Sequence, residues 1–223
     1  MTVLTGERGK LTVNARGALR RNSKFAAVTG LLTFSEMTLF CNRDRWTITE
    51  ARILEQFIGL RTDLELVSLA SYFAELVEAV ADEDSPNPEL LPLCLNALYV
   101  LSEGIKTARH VKPVFELRLL SLAGFSPLID YCSGCENTDP EYAYLDISGG
   151  TILCDDCAAA GGIKLSRAAL QAARYIITCD SKKLYSFSLS EEALEELLIA
   201  AESYLLSHLD RNFRTLEYYK GVS

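Results

Sequence analysis

The reading of the fold turns on Cys132-Ser133-Gly134-Cys135, followed after eighteen residues by Cys154-Asp155-Asp156-Cys157. Two C-x2-C turns at this separation have the spacing of a zinc site. Each turn can present two thiolates to one tetrahedral ion, with Gly134 easing the backbone around it. Between them, residues 142–147 and 151–153 read as two short strands joined across Gly149-Gly150, a turn that needs positive φ. Knuckle, hairpin, knuckle is a zinc ribbon. Four thiolates fill the coordination shell and leave no position for water or substrate, so one structural Zn2+ is expected on Cys132, Cys135, Cys154 and Cys157. An iron–sulfur cluster or a redox switch is the alternative use of the same four. A zinc deaminase is excluded, since neither His110 nor His208 begins a His-x-Glu. Cys41, Cys94 and Cys179 sit in apolar or strand contexts and are expected as buried fillers.

On both sides of the ribbon the hydrophobic period is helical. Thr62 and Glu65 suggest a capping box ahead of a stripe of Leu66, Leu69, Phe73, Leu76, Val77 and Val80. Asn87-Pro88 predicts the start of a second helix running to Gly104. A third is expected from about Arg109 to Ala123, with Gly124 closing it and Pro127 beyond. After the ribbon, Ser166 caps a helix to about Thr178 and Ser190 caps one to about Leu209.

The first 52 residues differ. From Gly9 to Arg16 apolar Leu11, Val13 and Ala15 alternate with Lys10, Thr12, Asn14 and Arg16, the period-2 pattern of a half-buried strand. Residues 33–41 and 45–50 are strand-like, with Asn42-Arg43-Asp44 as the hairpin turn. Thr2–Thr5 reads as the end of another strand. The chain therefore divides as a β-module over 1–52, a helical domain in two parts over 53–131 and 159–223, and the ribbon inserted at 132–158.

Charge follows the same division. The chain of 223 residues carries a net −8, which alone argues against a nucleic-acid ligand. Residues 1–52 hold nine basic and four acidic side chains, which is +5, and the rest is −13. Lys10 and Arg16 share one strand face, and Arg20, Arg21 and Lys24 follow in a loop. Such a surface suits phosphates, where charge neutralisation supplies most of the affinity. Trp46 and Phe40 are candidate stacking platforms, although Trp46 shares a face with Ile48 and is expected in the core.

Enzyme signatures are missing: there is no GxxxxGK[ST], G-x-S-x-G or G-x-G-x-x-G. No catalytic residue is expected. Met1–Lys10 is polar and lacks a signal-peptide core, no stretch is apolar enough to span a bilayer, and seven cysteines suit a reducing cytosol.

Three stretches carry a resemblance to a family. They are Leu4-Thr5-Gly6-Glu7-Arg8-Gly9-Lys10-Leu11 with Ala15-Arg16-Gly17-Ala18-Leu19-Arg20-Arg21, then Phe115 to Phe125 (FELRLLSLAGF), then the four ribbon cysteines. Together they resemble the bacterial DNA repair and recombination mediators of the RecO family, in its zinc-binding form. The resemblance implies an α+β, multidomain fold with an N-terminal OB-fold-like β-barrel and a C-terminal α-helical domain carrying the four-Cys zinc ribbon. It implies a cytoplasmic, nucleoid-associated protein that binds and anneals single-stranded DNA. Double-stranded DNA is a further possible ligand. It also implies engagement of the tail of single-stranded-DNA-binding protein and, with the partner RecR, help in loading the recombinase RecA. Lys10, Arg16, Arg20, Arg21 and Lys24 would then be the phosphate contacts. Family members begin one strand earlier, and an OB barrel needs about five strands, so an open edge is expected here. The competing reading is a protein-interaction adaptor whose helical bundle docks a partner, with weak or no DNA binding.

Overall fold

The structure, a computed structural model, describes residues 1–18, 23, 25–83, 85–158 and 161–223. The fold is α+β, with OB-fold-like strands at the N-terminus and the four-cysteine ribbon set among the later helices. The chain packs as two units, residues 1–104 with 214–223, and residues 105–213.

In the first unit, β1 (Thr2–Thr5), β2 (Gly9–Asn14), β3 (Phe34–Asn42) and β4 (Arg45–Glu55) form one sheet in the order β1-β2-β4-β3. β2 and β4 run parallel; the other pairs are antiparallel. Alternation sets the inner face: Leu11, Val13 and Ile48 are buried with Phe25 and Val28, and Val3, Met37, Leu39, Trp46 and Ala51 pack against them. Arg43 and Asp44 both take positive φ, 49° and 58°, which makes the two-residue turn between paired Asn42 and Arg45 a tight hairpin. β4 runs to Glu55, beyond the expected end of the β-module at residue 52. Register shifts after Phe34 and Thr38 let the long β3 keep pairing with it.

Helices α1 (Leu64–Val80), α2 (Leu90–Ser102) and α6 (Arg214–Lys220) complete this unit. The cap of α1 is Asp63, whose carboxylate accepts from Glu65 N at 2.8 Å. Thr62, the expected cap, instead donates to Gly59 O. Asn87 marks a turn rather than a cap, because its Oδ1 accepts from Glu89 N and α2 begins only at Leu90. The short α6 was not expected; Thr215 ties it to Glu75 of α1. Among the described residues β1 and β3 each pair on one side only, and between them opens a cleft of about 1370 Å3 lined by residues such as Leu4, Met37, Phe73, Val77 and Leu95.

In the second unit, α3 (Ala108–Leu122) is buried at twelve of its fifteen positions, so it is a central helix. It packs on α4 (Arg167–Thr178) and α5 (Glu191–Leu209), whose caps are Ser166 and Ser190 as expected. Four strands follow α3: β5 (Leu128–Cys132), β6 (Tyr142–Asp146), β7 (Thr151–Cys154) and β8 (Ile163–Ser166), in the order β5-β7-β6-β8. Only the β6–β7 hairpin was expected. β5 and β8 are too short to show a period, and pairing with the hairpin makes them strands.

Candidate metal centre and nucleic-acid interface

The ribbon brings Cys132, Cys135, Cys154 and Cys157 together, with all four Sγ atoms within 4.8 Å of one another. Cys135 and Cys154 are 3.6 Å apart at sulfur, close to the roughly 3.8 Å edge of a tetrahedron with Zn–S bonds of about 2.3 Å. Cys132 and Cys154 are strand-end residues and are buried; Cys135 is exposed and Cys157 half-buried. Two backbone amides, Cys154 N at 3.2 Å and Gly134 N at 3.4 Å, donate to Cys132 Sγ. Burial resists a charge on Cys132, but these amides, together with the Cys135 amide and the Cys154 thiol, outweigh it and bring the Cys132 thiol down to about 6. The sulfurs crowding Cys157 push its thiol up to about 12. Four sulfurs this close cannot all be thiolates without a cation among them. The donor set therefore fits one tetrahedral ion, and among the described residues no other group of His, Cys, Asp and Glu is so arranged.

Each knuckle closes on itself. Glu136 N donates to Cys132 O at 2.8 Å and Cys157 N to Cys154 O at 3.0 Å. The left-handed residue of the first knuckle is Glu136, at φ 62°, not Gly134. Gly134 is required for space: a Cβ there would lie 3.0 Å from Cys157 Sγ. Arg174 of α4 fastens the outer side of the ribbon, donating to the carbonyls of Ile129, Asp130 and Thr138 at 2.7–2.9 Å. Nothing in the sequence marks Arg174 for this, since its acceptors are all backbone.

Of the other cysteines, Cys94 is held as an inert thiol, pushed up to about 12 by burial. Burial also raises Cys179. Cys41 departs from expectation: it is exposed near the end of β3, where the sheet has run past its core.

Of the five expected phosphate contacts, Arg20, Arg21 and Lys24 lie outside the described residues. Arg16 is exposed just past β2. Lys10 shares the Thr12–Asn14 face of β2, but its Nζ donates to Glu78 O of α1 at 2.8 Å, so one of its three protons is already engaged. Trp46 is half-buried against the sheet core, with the Arg8 guanidinium 5.1 Å from its ring centre. Phe40 is 59% exposed.

OB-fold-like strands ahead of a helical body that carries a four-cysteine ribbon define a multidomain α+β protein with a cluster of thiols that could hold one metal ion. The chain matches two family models, Recombination protein O N terminal over residues 1–57 and Recombination protein O C terminal over residues 61–217. A DNA repair protein RecO of Acetivibrio thermocellus is 33% identical over 100% of this chain and 89% of its own length. Another, of Symbiobacterium thermophilum, is 31% identical over 98% of this chain and 88% of its own. A third, of Desulforamulus reducens, is 30% identical over 98% and 86%. The chain belongs to the recombination protein O (RecO) family, and its role lies in DNA repair and recombination. Among the described residues no helix is long and apolar enough to cross a membrane.

Proposed function

We propose that this protein is a non-enzymatic recombination mediator that binds and anneals single-stranded DNA and, with RecR, helps load the recombinase onto coated strands. The observation that carries the reading is family membership across both parts of the chain, residues 1–57 and 61–217. It is supported by the +5 charge of the first 52 residues against −13 for the remainder. A basic module on an acidic body draws a polyanion to one region and repels it elsewhere. On this reading Arg16, Arg20, Arg21 and Lys24 neutralise phosphates, with Lys10 contributing its remaining protons. The tail of single-stranded-DNA-binding protein and RecR are the protein partners, and the site of action is the cytoplasmic nucleoid.

The ribbon would hold one Zn2+ through Cys132, Cys135, Cys154 and Cys157. When bound, the ion supplies charge balance for four thiolates and locks the two knuckles, with no chemistry on a substrate. What the chain's own residues do is structural: amides soften the Cys132 charge, Gly134 leaves room for Cys157, and Arg174 holds the ribbon to α4.

Titration of the protein against a fluorescent oligothymidylate over a range of salt tests the reading. Binding should weaken with salt at a slope near −0.7 per phosphate contacted. Complementary oligonucleotides should anneal faster in its presence. Absence of binding at low salt overturns the reading in favour of the adaptor; so does binding that ignores salt. Charge reversal at Arg20, Arg21 and Lys24 should weaken binding equally for all sequences and lower the slope.

A further inference from the structure

The inner face of the N-terminal sheet is spent on its core, and its aromatic residue is committed. Trp46 packs among Leu11, Val13 and Ile48 and lies under Arg8. The outer face is different in kind. By alternation it presents Thr12 and Asn14 from β2, Arg45 and Thr47 from β4, and Thr38, Phe40 and Asn42 from β3. Register puts Asn14 and Phe40 on either side of Thr47, so these three make one row across the sheet. Phe40 stands in that row as the sole aromatic side chain, 59% exposed, and among the described residues no other ring or cation lies against it.

The charge around this row is uneven. At the hairpin end, Arg43 and Arg45 are exposed with Asp44 between them. β2 runs parallel to β4, so exposed Arg16 follows Asn14 on the other side of the row, away from the hairpin. At the other end of β3 and β4, Glu36 is engaged by Arg52, and Glu50 lies opposite Thr38. The hairpin end beside Phe40 therefore carries two arginines against one aspartate, and a third arginine, Arg16, stands beyond the row on its other side. Small polar residues flank the ring, so a flat group can reach it unhindered.

An isolated exposed phenylalanine needs no explanation in general. Here the ring is combined with guanidinium groups on a shallow polar sheet. Those are the two components of single-strand recognition, a π face for bases and cations for the backbone. The complementary ligand is a polyanion with aromatic rings. We infer that the outer face of β2, β4 and β3 is a stacking surface for single-stranded nucleic acid, with Phe40 carrying a base and Arg45, Arg43 and Arg16 meeting the flanking phosphates. This rests on the DNA-binding reading above and adds a face and a base contact to it. Of these residues, Arg16 was expected among the phosphate contacts and Phe40 as a candidate stacking platform, whereas Arg43 and Arg45 were not expected.

The test is oligothymidylate binding by F40A, F40L, F40W and R45A beside the unaltered protein, each checked for its fold by circular dichroism. F40A and F40L should both weaken binding by about 5- to 150-fold, the range of one lost base–aromatic stack, while the salt slope stays unchanged. F40W should keep its affinity, and its emission should be quenched on binding by more than that of Trp46, the one natural tryptophan. R45A should lower the slope by about 0.7. If F40L binds as the unaltered protein does, the ring does not stack and the inference is overturned, while the DNA-binding reading stands. The same holds if F40A leaves DNA binding unchanged but abolishes capture of a protein partner. If the unaltered protein binds no oligothymidylate at all, the DNA-binding reading falls and takes this inference with it.

Discussion

The ammonium of Lys112 and the carboxylate of Glu116 meet at 2.8 Å one turn apart on α3, both side chains all but sealed from solvent. Glu202 of α5 reaches the same ammonium at 2.8 Å. Burial works against the Lys112 charge, but the two carboxylates outweigh it and hold its pKa above the usual lysine value. Two positions of a central helix that would ordinarily be apolar are thus ionic, and their register with α5 is set by charge.

Removing one member of such a group leaves the rest buried and uncompensated. E116A should therefore lower stability by about 3 kcal/mol, the lower end of the range for a broken buried pair, because Glu202 still meets Lys112. Replacing both, K112M with E116L, should recover most of that loss. Urea unfolding followed by circular dichroism measures it. A pair variant no better than E116A would mean that packing, not charge, is responsible.

The raised Lys112 pKa also fixes a direction with pH. The folded state holds this proton more tightly than the unfolded state, so the contribution is complete below about pH 10.5, the ordinary lysine value, and is lost as pH rises through the folded value. The unaltered protein should lose more stability above pH 10.5 than the K112M/E116L variant does.

His110 predicts the opposite limb. It is buried on α3 with its ring 5.0 Å from that of Phe187, and its Nε2 has no hydrogen-bond partner among the described residues. Burial, helped by the nearby Lys106 charge, lowers its pKa from 6.5 to about 4. Between those values the unfolded chain takes up a proton that the folded protein refuses, so stability falls as pH drops from 6.5 to 4 and levels off below. H110F should flatten that part of the profile, at little cost at pH 7. An unchanged profile would show that other groups set it.

Gly134 should be the least replaceable residue of the ribbon besides the cysteines. A methyl group there meets Cys157 Sγ and Cβ at 3.0 and 3.1 Å, so one ligand must move. G134A should bind Zn2+ at least tenfold more weakly, within the roughly 10–100-fold range for changing a residue that holds a metal ligand in place. Competition with a chromophoric chelator reads this directly, without any assay of DNA. Stripping the metal from the unaltered protein should lower its melting temperature, because binding free energy is folding free energy in such sites.

A last stability test concerns Gly9, at φ 63°, where a Cβ would lie 2.3 Å from Ser85 O and 2.8 Å from Asp82 O. Lys10 N donates to Asp82 O beside it, so the chain cannot back away. G9A should cost more than about 1 kcal/mol. A neutral result would show that the segment around Asp82–Ser85 gives way.

Much of this was legible in the chain because the information was local. The C-x2-C pairs, the β6–β7 hairpin and the caps at Ser166 and Ser190 each depend on residues a few positions apart. The positive charge of the first 52 residues is a matter of composition. Other features were misread where two local signals competed. Thr62 and Asp63 both make good caps, and only the path of the preceding turn, where Thr62 bonds to Gly59, leaves the role to Asp63. Cys41 has the neighbours of a core residue but lies where β3 has outrun its core.

By itself, then, the sequence determined which residues could ligate a metal, where α4 and α5 begin, and which segment is basic, since spacing, capping and charge are properties of the chain. The tertiary structure alone decided what those residues meet. Lys10 is partly engaged because Glu78 O comes from a helix sixty-eight residues away. Phe40 is exposed because Leu11, Val13, Phe25 and Val28 gather on the Met37–Leu39 face of β3 and leave its other face open. β5 and β8 are strands because the hairpin offers them partners. Gly134 is needed because Cys157 arrives from the other knuckle. Each of these depends on groups distant in sequence approaching within a few ångströms, and no local pattern encodes such an approach.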